Sequence, residues 1–453
     1  MNKARIALVC FGEINTAIER LNLKHDEALS YLQSLNYDVL DGGLVIDDAK
    51  YASADKAVSV LQQGGDFSSI VICVAGWVPT HAVIRVVDNF KHKPMLLWGL
   101  SGWKSGNKII TTAEQAGTTS LRSTLEALDF NFKFVYNMVG KPFPEKAITS
   151  FLDAAGAIHA LRNERIVSVG YRDMLLYSTQ YEATSVRRVF GVEVESMEML
   201  EMVQLESEVE QKEVDTLVSY MKENWQMLKP AEDSLLETGA RYALALGKKV
   251  ESEGYKALTL NDVDGMKKLL NFPPAIVFIL LSKIYGIDTT PENDVLGNLM
   301  QLIFQKITGK NAHYMEYYEF FEKSMLIGVP DYIPEFAVKG KVQILPAAFG
   351  LLTGSLLSVS KVQTGYVTCA RLAYKKGKFV MHMYTGEAKD PPLWEEFGWD
   401  DPAPQLSSLE MFPDSCSVEE FAQKVCSQHV IVAYGDYSQE LKDFCALLNI
   451  EVI

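Results

Sequence analysis

The strongest constraint on the fold is a repeated pairing of a short apolar run with a helical stretch. Residues 6–11 read Ile-Ala-Leu-Val-Cys-Phe and stop at Gly12. A run this short, apolar on both faces and ended by glycine, is the signature of a strand buried on both sides in a parallel sheet. A helical stretch over about residues 14–35 follows. Further strands are expected at 37–40, 70–74 and 95–100. Strands alternating with helices define a doubly wound α/β layer. The segment Val139-Gly140-Lys141-Pro142-Phe143-Pro144 combines two prolines with a glycine and reads as a linker, which ends the first domain near residue 138.

A second α/β round begins at 165–170. Phe190-Gly191 stops a helix and Val192-Glu193-Val194 opens a strand. The charged stretch 206–222 reads as a solvated helix, 255–260 as a strand and 275–285 as a buried helix. The character then changes. Short strands at 342–345, 366–374, 378–386 and 429–434, bounded by Gly and Pro, describe a β-rich region. The expected organisation is an N-terminal α/β domain (1–138), a second α/β domain (139–309) and a β-rich C-terminal domain (310–453), with both α/β parts doubly wound and Rossmann-like.

A chain of 453 residues exceeds one ordinary domain. Its 43 Lys+Arg against 58 Asp+Glu leave a net charge of −15. That balance argues against nucleic acid or an anionic membrane as the main partner, though not against a small anionic ligand in a local cationic pocket. The run 6–11 is too short to span a bilayer, and no cleavage-site pattern follows it. The uncharged stretch 342–360 carries Gln, Pro, Gly, Thr and Ser and reads as buried sheet and loop. The six cysteines (Cys10, Cys73, Cys369, Cys416, Cys426 and Cys445) lie far apart with no C-x-x-C. Free thiols in a reducing cytoplasm are expected.

Common chemistries lose weight by elimination. The first turn, Phe11-Gly12-Glu13-Ile14-Asn15, lacks G-x-G-x-x-G, and Glu13 would repel a pyrophosphate. No phosphate-binding loop, nucleophile elbow or H-E-x-x-H occurs. Three residues remain. Glu292 lies in Pro291-Glu292-Asn293-Asp294, where a strand end meets a helix start; it reads as a functional carboxylate or as a helix cap. Glu316 would share a strand face with Tyr314 and Tyr318, either desolvated between tyrosines or on a surface edge. His429 opens an apolar strand as a ligand or as a core histidine. Together they form a hard O,O,N donor set suited to Mn²⁺ or another divalent metal.

Around these residues the sequence resembles the L-fucose/L-arabinose isomerase family, in its compact fucose-isomerase-like branch. Glu292-Asn293-Asp294-Val295-Leu296-Gly297-Asn298 and Ile307-Thr308-Gly309 resemble the E-N-D-x-L-x-G … L-T-G stretch of fucose isomerases. Tyr314-Met315-Glu316-Tyr317-Tyr318 resembles the F-M-E-D-Y segment of arabinose isomerases, and His429 occupies the place of the C-terminal ligand histidine. Looser matches are Cys73 to Trp77, Pro94 to Gly99 and Gly365 to Leu372. The resemblance implies metal ligation by Glu292, Glu316 and His429, with the two glutamates also catalytic. It implies sugar contacts from Trp77, Trp98, Asp294 and Arg371, and a homo-oligomer whose site is shared between subunits. The implied activity is aldose–ketose isomerisation of an open-chain sugar, with proton transfer between C1 and C2 through an enediol. The sugar would be fucose- or arabinose-like, or a 6-substituted, even anionic sulfonated, hexose. Val329-Pro330-Asp331 replaces the downstream ligand histidine of arabinose isomerases, which favours three protein ligands. Glu316 stands where the fucose branch usually has Asp. The alternative is a non-catalytic sugar-binding or regulatory protein on a degenerate isomerase scaffold.

Overall fold

The computed structural model describes residues 3–330, 332–347, 354–393 and 405–453. Asp331 and part of the uncharged stretch 342–360 lie outside the described residues. The chain divides into two compact units, Met1–Ala160 with Gln439–Asn449, and Leu161–Ser438 with Ile450–Ile453.

In the first unit the apolar runs become an open, all-parallel five-stranded sheet. Its order is Asp38–Val45, Arg5–Phe11, Ile70–Val74, Met95–Gly99 and Phe132–Tyr136. Ile6 through Phe11 and Ile70 through Val74 have no exposed surface, as strands covered on both faces must. The first helix is Ile18–Ser34, shorter at its start than the expected 14–35. The unit extends beyond residue 138. Helix Glu145–Leu161 follows the proline-rich segment, and Lys133 Nζ and Ser150 Oγ both reach Asp443 on the C-terminal helix Ser438–Leu448, at 2.6 and 2.7 Å.

The second unit holds a four-stranded parallel sheet, ordered Asp288–Thr290, Ala257–Leu260, Arg165–Val169 and Glu193–Met197. Gly191, at φ 74°, ends the helix before Glu193–Met197, as its sequence context suggests. The charged stretch 206–222 is not one helix. It is split between Met199–Glu206 and Gln211–Asn224.

The C-terminal part of this unit is an antiparallel ring of six strands: Gly365–Lys375, His429–Tyr434, His313–Phe320, Met325–Val329, Ser407–Pro413 and Lys378–Lys389. Gly365–Lys375 also pairs with Lys378–Lys389, so the sheet closes on itself as a barrel. The tight turn between them places Lys376 and Gly377 at φ 50° and 81°, the paired positive φ of a twist-matched hairpin. Glu451–Val452 adds a parallel edge strand to Lys378–Lys389. No described helix is long and apolar enough to cross a membrane, and all six cysteines are free thiols.

Two helices brace the strand that leads to Glu292. Asp233–Glu253 packs on the buried helix Ala275–Tyr285, which turns at Gly286 into Asp288–Thr290. The close approach needs a small residue at Gly239, where an added Cβ would overlap the fully buried Ile276 side chain. Gly239→Val gains up to about 1 kcal/mol of helix propensity, but overpacking costs about 1–3 kcal/mol. The net expectation is a lower urea midpoint; an unchanged or raised midpoint would show that Ile276 yields freely.

Candidate metal and proton-transfer centre

Glu292 leaves the C-terminal end of Asp288–Thr290, the position where open α/β sheets bind ligands. The backbone there is left-handed at two successive non-glycine residues, Glu292 (φ 60°) and Asn293 (φ 50°). Such residues cost on the order of 1–3 kcal/mol each and persist only where their surroundings hold them. Here the Glu292 N–H donates to Asp262 Oδ1 at 2.7 Å. The Asn293 N–H donates to the Leu260 carbonyl at 3.1 Å. The Asn293 side-chain amide donates to Ser168 Oγ and the Val169 carbonyl at 2.9 and 3.0 Å. The turn is thus pinned to the ends of two neighbouring parallel strands, Ala257–Leu260 and Arg165–Val169.

The helix-cap alternative for Glu292 falls to its neighbour. Asp294 is the N-cap of Val295–Thr308 and accepts the Gly297 N–H at 3.0 Å. A Cβ at position 297 would sit 2.6 Å from Asp294 Oδ2, which accounts for the glycine. Nor is the Glu316 strand an edge. It lies between His429–Tyr434 and Met325–Val329, with Glu316 directly opposite His429. Directly paired residues share a sheet face.

The three expected ligands converge. One ligand atom each from Glu292, Glu316 and His429 lies within 4.8 Å of the others. His429 has no exposed surface; its Nε2 is 2.8 Å from Glu292 Oε2 and its Nδ1 is 2.9 Å from Asp294 Oδ2. The Tyr314 ring packs edge-on against His429 at 4.8 Å, and its hydroxyl donates to Glu316 Oε1 at 2.8 Å. Arg371 closes the back. It ion-pairs with both Asp294 oxygens and donates to the Ser178 carbonyl at 3.0 Å. Arg371 and Asp294, expected as sugar contacts, are 1% and 0% exposed and spend these bonds on each other and on His429.

This donor set fits a hard divalent cation. An Nδ1–H donated to Asp294 fixes the tautomer that leaves Nε2 as a lone-pair donor facing the two glutamates, the carboxylate–histidine arrangement that supports metal ligands. Burial raises the Asp294 carboxyl, but Arg371 and His429 outweigh it and hold it well below the usual carboxylate range. Burial also pushes Glu316 up, and Glu292's charge adds to this against the pull of His429, so that Glu316 stands at about 7. Burial pulls His429 down, but hydrogen bonds to Asp294 and Glu292 raise it to about 9.

The two tryptophans expected as sugar contacts belong to the first unit. Trp98 is fully buried, with its ring N–H donated to Asn137 Oδ1 at 2.8 Å. Trp77 is 40% exposed, anchored by its backbone N–H to the Thr112 carbonyl at 2.7 Å. The sequence reading did not single out Asp262, which holds the Glu292 backbone, or Lys267, 2.9 Å from Asp262 Oδ2. Their signal is faint: Asn261-Asp262-Val263-Asp264-Gly265 reads as an ordinary polar loop.

The geometry defines a buried carboxylate–imidazole centre able to hold a cation and to exchange protons. Residues 171–288 match the model of the L-arabinose isomerase central domain. The match supports an arabinose/fucose isomerase-like reading and ends four residues before Glu292, so the site itself stands on its geometry. No curated protein sequence matches the chain.

Both upward shifts mean that the metal-free site stores protons. Glu316's contribution to stability is complete below its unfolded value of 4.5 and is lost as pH rises through about 7. His429's is complete below 6.5 and lost as pH rises through about 9. A divalent cation competes with those same protons. The rise in melting temperature at a fixed Mn²⁺ concentration should therefore grow from about pH 6 to about pH 8.5. A pH-independent rise would place the bound ion elsewhere.

Proposed function

We propose that this chain is a metal-dependent aldose–ketose isomerase that moves a proton between C1 and C2 of an open-chain sugar. The observation that carries this reading is the convergence of Glu292, Glu316 and His429 within 4.8 Å, in a chain whose preceding segment matches an arabinose isomerase domain. When bound by these three residues, a divalent cation such as Mn²⁺ supplies a Lewis acid for the sugar's carbonyl and hydroxyl oxygens.

The remaining work falls to the side chains. One glutamate takes the carbon-bound proton and the other handles the hydroxyl proton, each transfer worth about 10²–10⁴-fold. Glu316 suits this role because it lies directly opposite His429 and within reach of Glu292. The Tyr314 hydroxyl donates to Oε1 and orients the carboxylate. Asp294 and Arg371 act behind the ligands: they orient His429 and fix the start of the following helix. The resemblance to fucose and arabinose isomerases implies an enediol path and not a hydride shift.

On this reading the parallel sheets are two doubly wound, Rossmann-like layers of a compact fucose-isomerase-like chain, and the barrel region belongs to its C-terminal domain. The partner is a small sugar, fucose- or arabinose-like or a 6-substituted hexose with a neutral or anionic end, turned over in the cytoplasm. Trp77 presents an aromatic face from the first unit and serves the site of a neighbouring protomer in a homo-oligomer.

Two variants test this. Glu292→Gln keeps the shape but removes a base and a good hard-ion ligand. Turnover of an aldose panel with Mn²⁺ should vanish while the melting curve stays cooperative; wild-type turnover would sink the assignment. Trp77→Ala should raise KM, with a loss of about 1–3 kcal/mol of sugar binding, and leave metal content unchanged. A lowered melting temperature with unchanged KM would make Trp77 a packing residue.

A further inference from the structure

The segment that holds Glu292 from behind has an unusual geometry. Residues Asp262–Leu269 form a π-helix. The Met266 N–H donates to the Asn261 carbonyl and the Leu270 N–H to the Gly265 carbonyl, both at 3.1 Å and five residues apart. In an α-helix, residues five apart lie about 140° round the axis. The wider π turn brings them toward one side. It is this turn that sets Lys267 over Asp262, Nζ to Oδ2 2.9 Å, with both side chains almost completely buried.

The wide turn is itself held at its start. Asn261 Oδ1 accepts the Gly265 N–H at 2.5 Å, and its amide donates to the Tyr171 carbonyl at 3.0 Å. The buried Asp173 carboxylate accepts the Val263 and Asp264 N–H groups at 2.7 and 2.8 Å. Asp262 Oδ1 then accepts the Glu292 N–H, and Oδ2 is ion-paired with Lys267. A buried carboxylate without a cation is strongly unfavourable, so Lys267 stabilises the acceptor that holds Glu292 in its left-handed conformation. The ammonium is also among the charges that act on Glu316, in the lowering direction.

Building on the isomerase reading, we infer that Lys267 is a positioning residue of the metal and proton-transfer centre. Carried on the π turn, it fixes Asp262, and Asp262 fixes the backbone that aims Glu292. Nothing in the local sequence marks a lysine for this role, because the pairing exists only when residues five apart face each other.

The sign of one measurement separates this from a simple field effect. Removing a cation near a metal site would by itself tighten Mn²⁺ binding, through loss of repulsion. Loss of positioning weakens it. Mn²⁺ affinity by calorimetry, with kcat and KM on the aldose panel, is to be compared for wild type, Lys267→Met, Lys267→Arg, Asp262→Ala and the double variant Lys267→Met/Asp262→Ala. The expected result is about 10–100-fold weaker Mn²⁺ binding in Lys267→Met, with kcat falling more than KM rises and partial recovery in Lys267→Arg. The double variant should bind no more weakly than Asp262→Ala alone, because both changes break one link. Unchanged or tighter Mn²⁺ binding in Lys267→Met, with only the melting temperature lowered, overturns the inference. Should Lys267→Met fail to fold, wild-type Mn²⁺ affinity in Asp262→Ala overturns it equally. A wild type that binds Mn²⁺ and converts no aldose rejects the isomerase reading while the affinity series still decides the role of Lys267. A wild type that binds no Mn²⁺ rejects both.

Discussion

The second unit is organised around the Asp294 carboxylate. It has no exposed surface, yet it serves three partners: the guanidinium of Arg371, the Nδ1 of His429 and the first turn of Val295–Thr308 through the Gly297 N–H. A charge so completely removed from water is tolerable only when each of its oxygens is committed. Those commitments join parts of the chain far apart in sequence. Asp294 follows the parallel sheet, whereas Arg371 and His429 come from two strands of the barrel that pair with each other. The buried ion pair therefore fixes the register between sheet and barrel, and Glu292 meets Glu316 and His429 because of it.

A second carboxylate performs the same kind of task one layer away. Asp262 takes the Glu292 N–H and an ammonium from its own helix. The two aspartates bracket the strained turn Glu292-Asn293, one ahead of it in the chain and one behind. Strain held from both sides is how a fold keeps a functional side chain in a conformation it would not otherwise adopt.

Much of this was legible in the sequence, and for identifiable reasons. The apolar runs at 6–11 and 70–74 read as strands and are strands, and helix Ala275–Tyr285 stands at its expected limits. The three candidate ligands stood out as residue types, each with an ordinary explanation beside it, and the family resemblance joined them. What removed those explanations was tertiary: Asp294 took the cap, a neighbouring strand covered each side of Glu316, and His429 found a carboxylate on both ring nitrogens. The π turn was illegible, because Asn-Asp-Val-Asp-Gly carries the chemistry of a loop and the wide turn depends on Asp173, some ninety residues earlier. Closure of the barrel was equally hidden. Short strands announce themselves one at a time, but the pairing of Gly365–Lys375 with two different neighbours does not.

The central claim is that Glu292 and Glu316 move a proton on a sugar held beside His429. The most direct measurement is proton NMR of an aldose panel, neutral and C6-anionic, incubated in D₂O with the Mn²⁺-loaded protein and freed of metal before recording. The account predicts that at least one aldose becomes its ketose and that solvent deuterium enters at the carbon where the proton was exchanged. A protein that binds Mn²⁺ at this site, yet forms no ketose and places no deuterium on any sugar carbon, would contradict it.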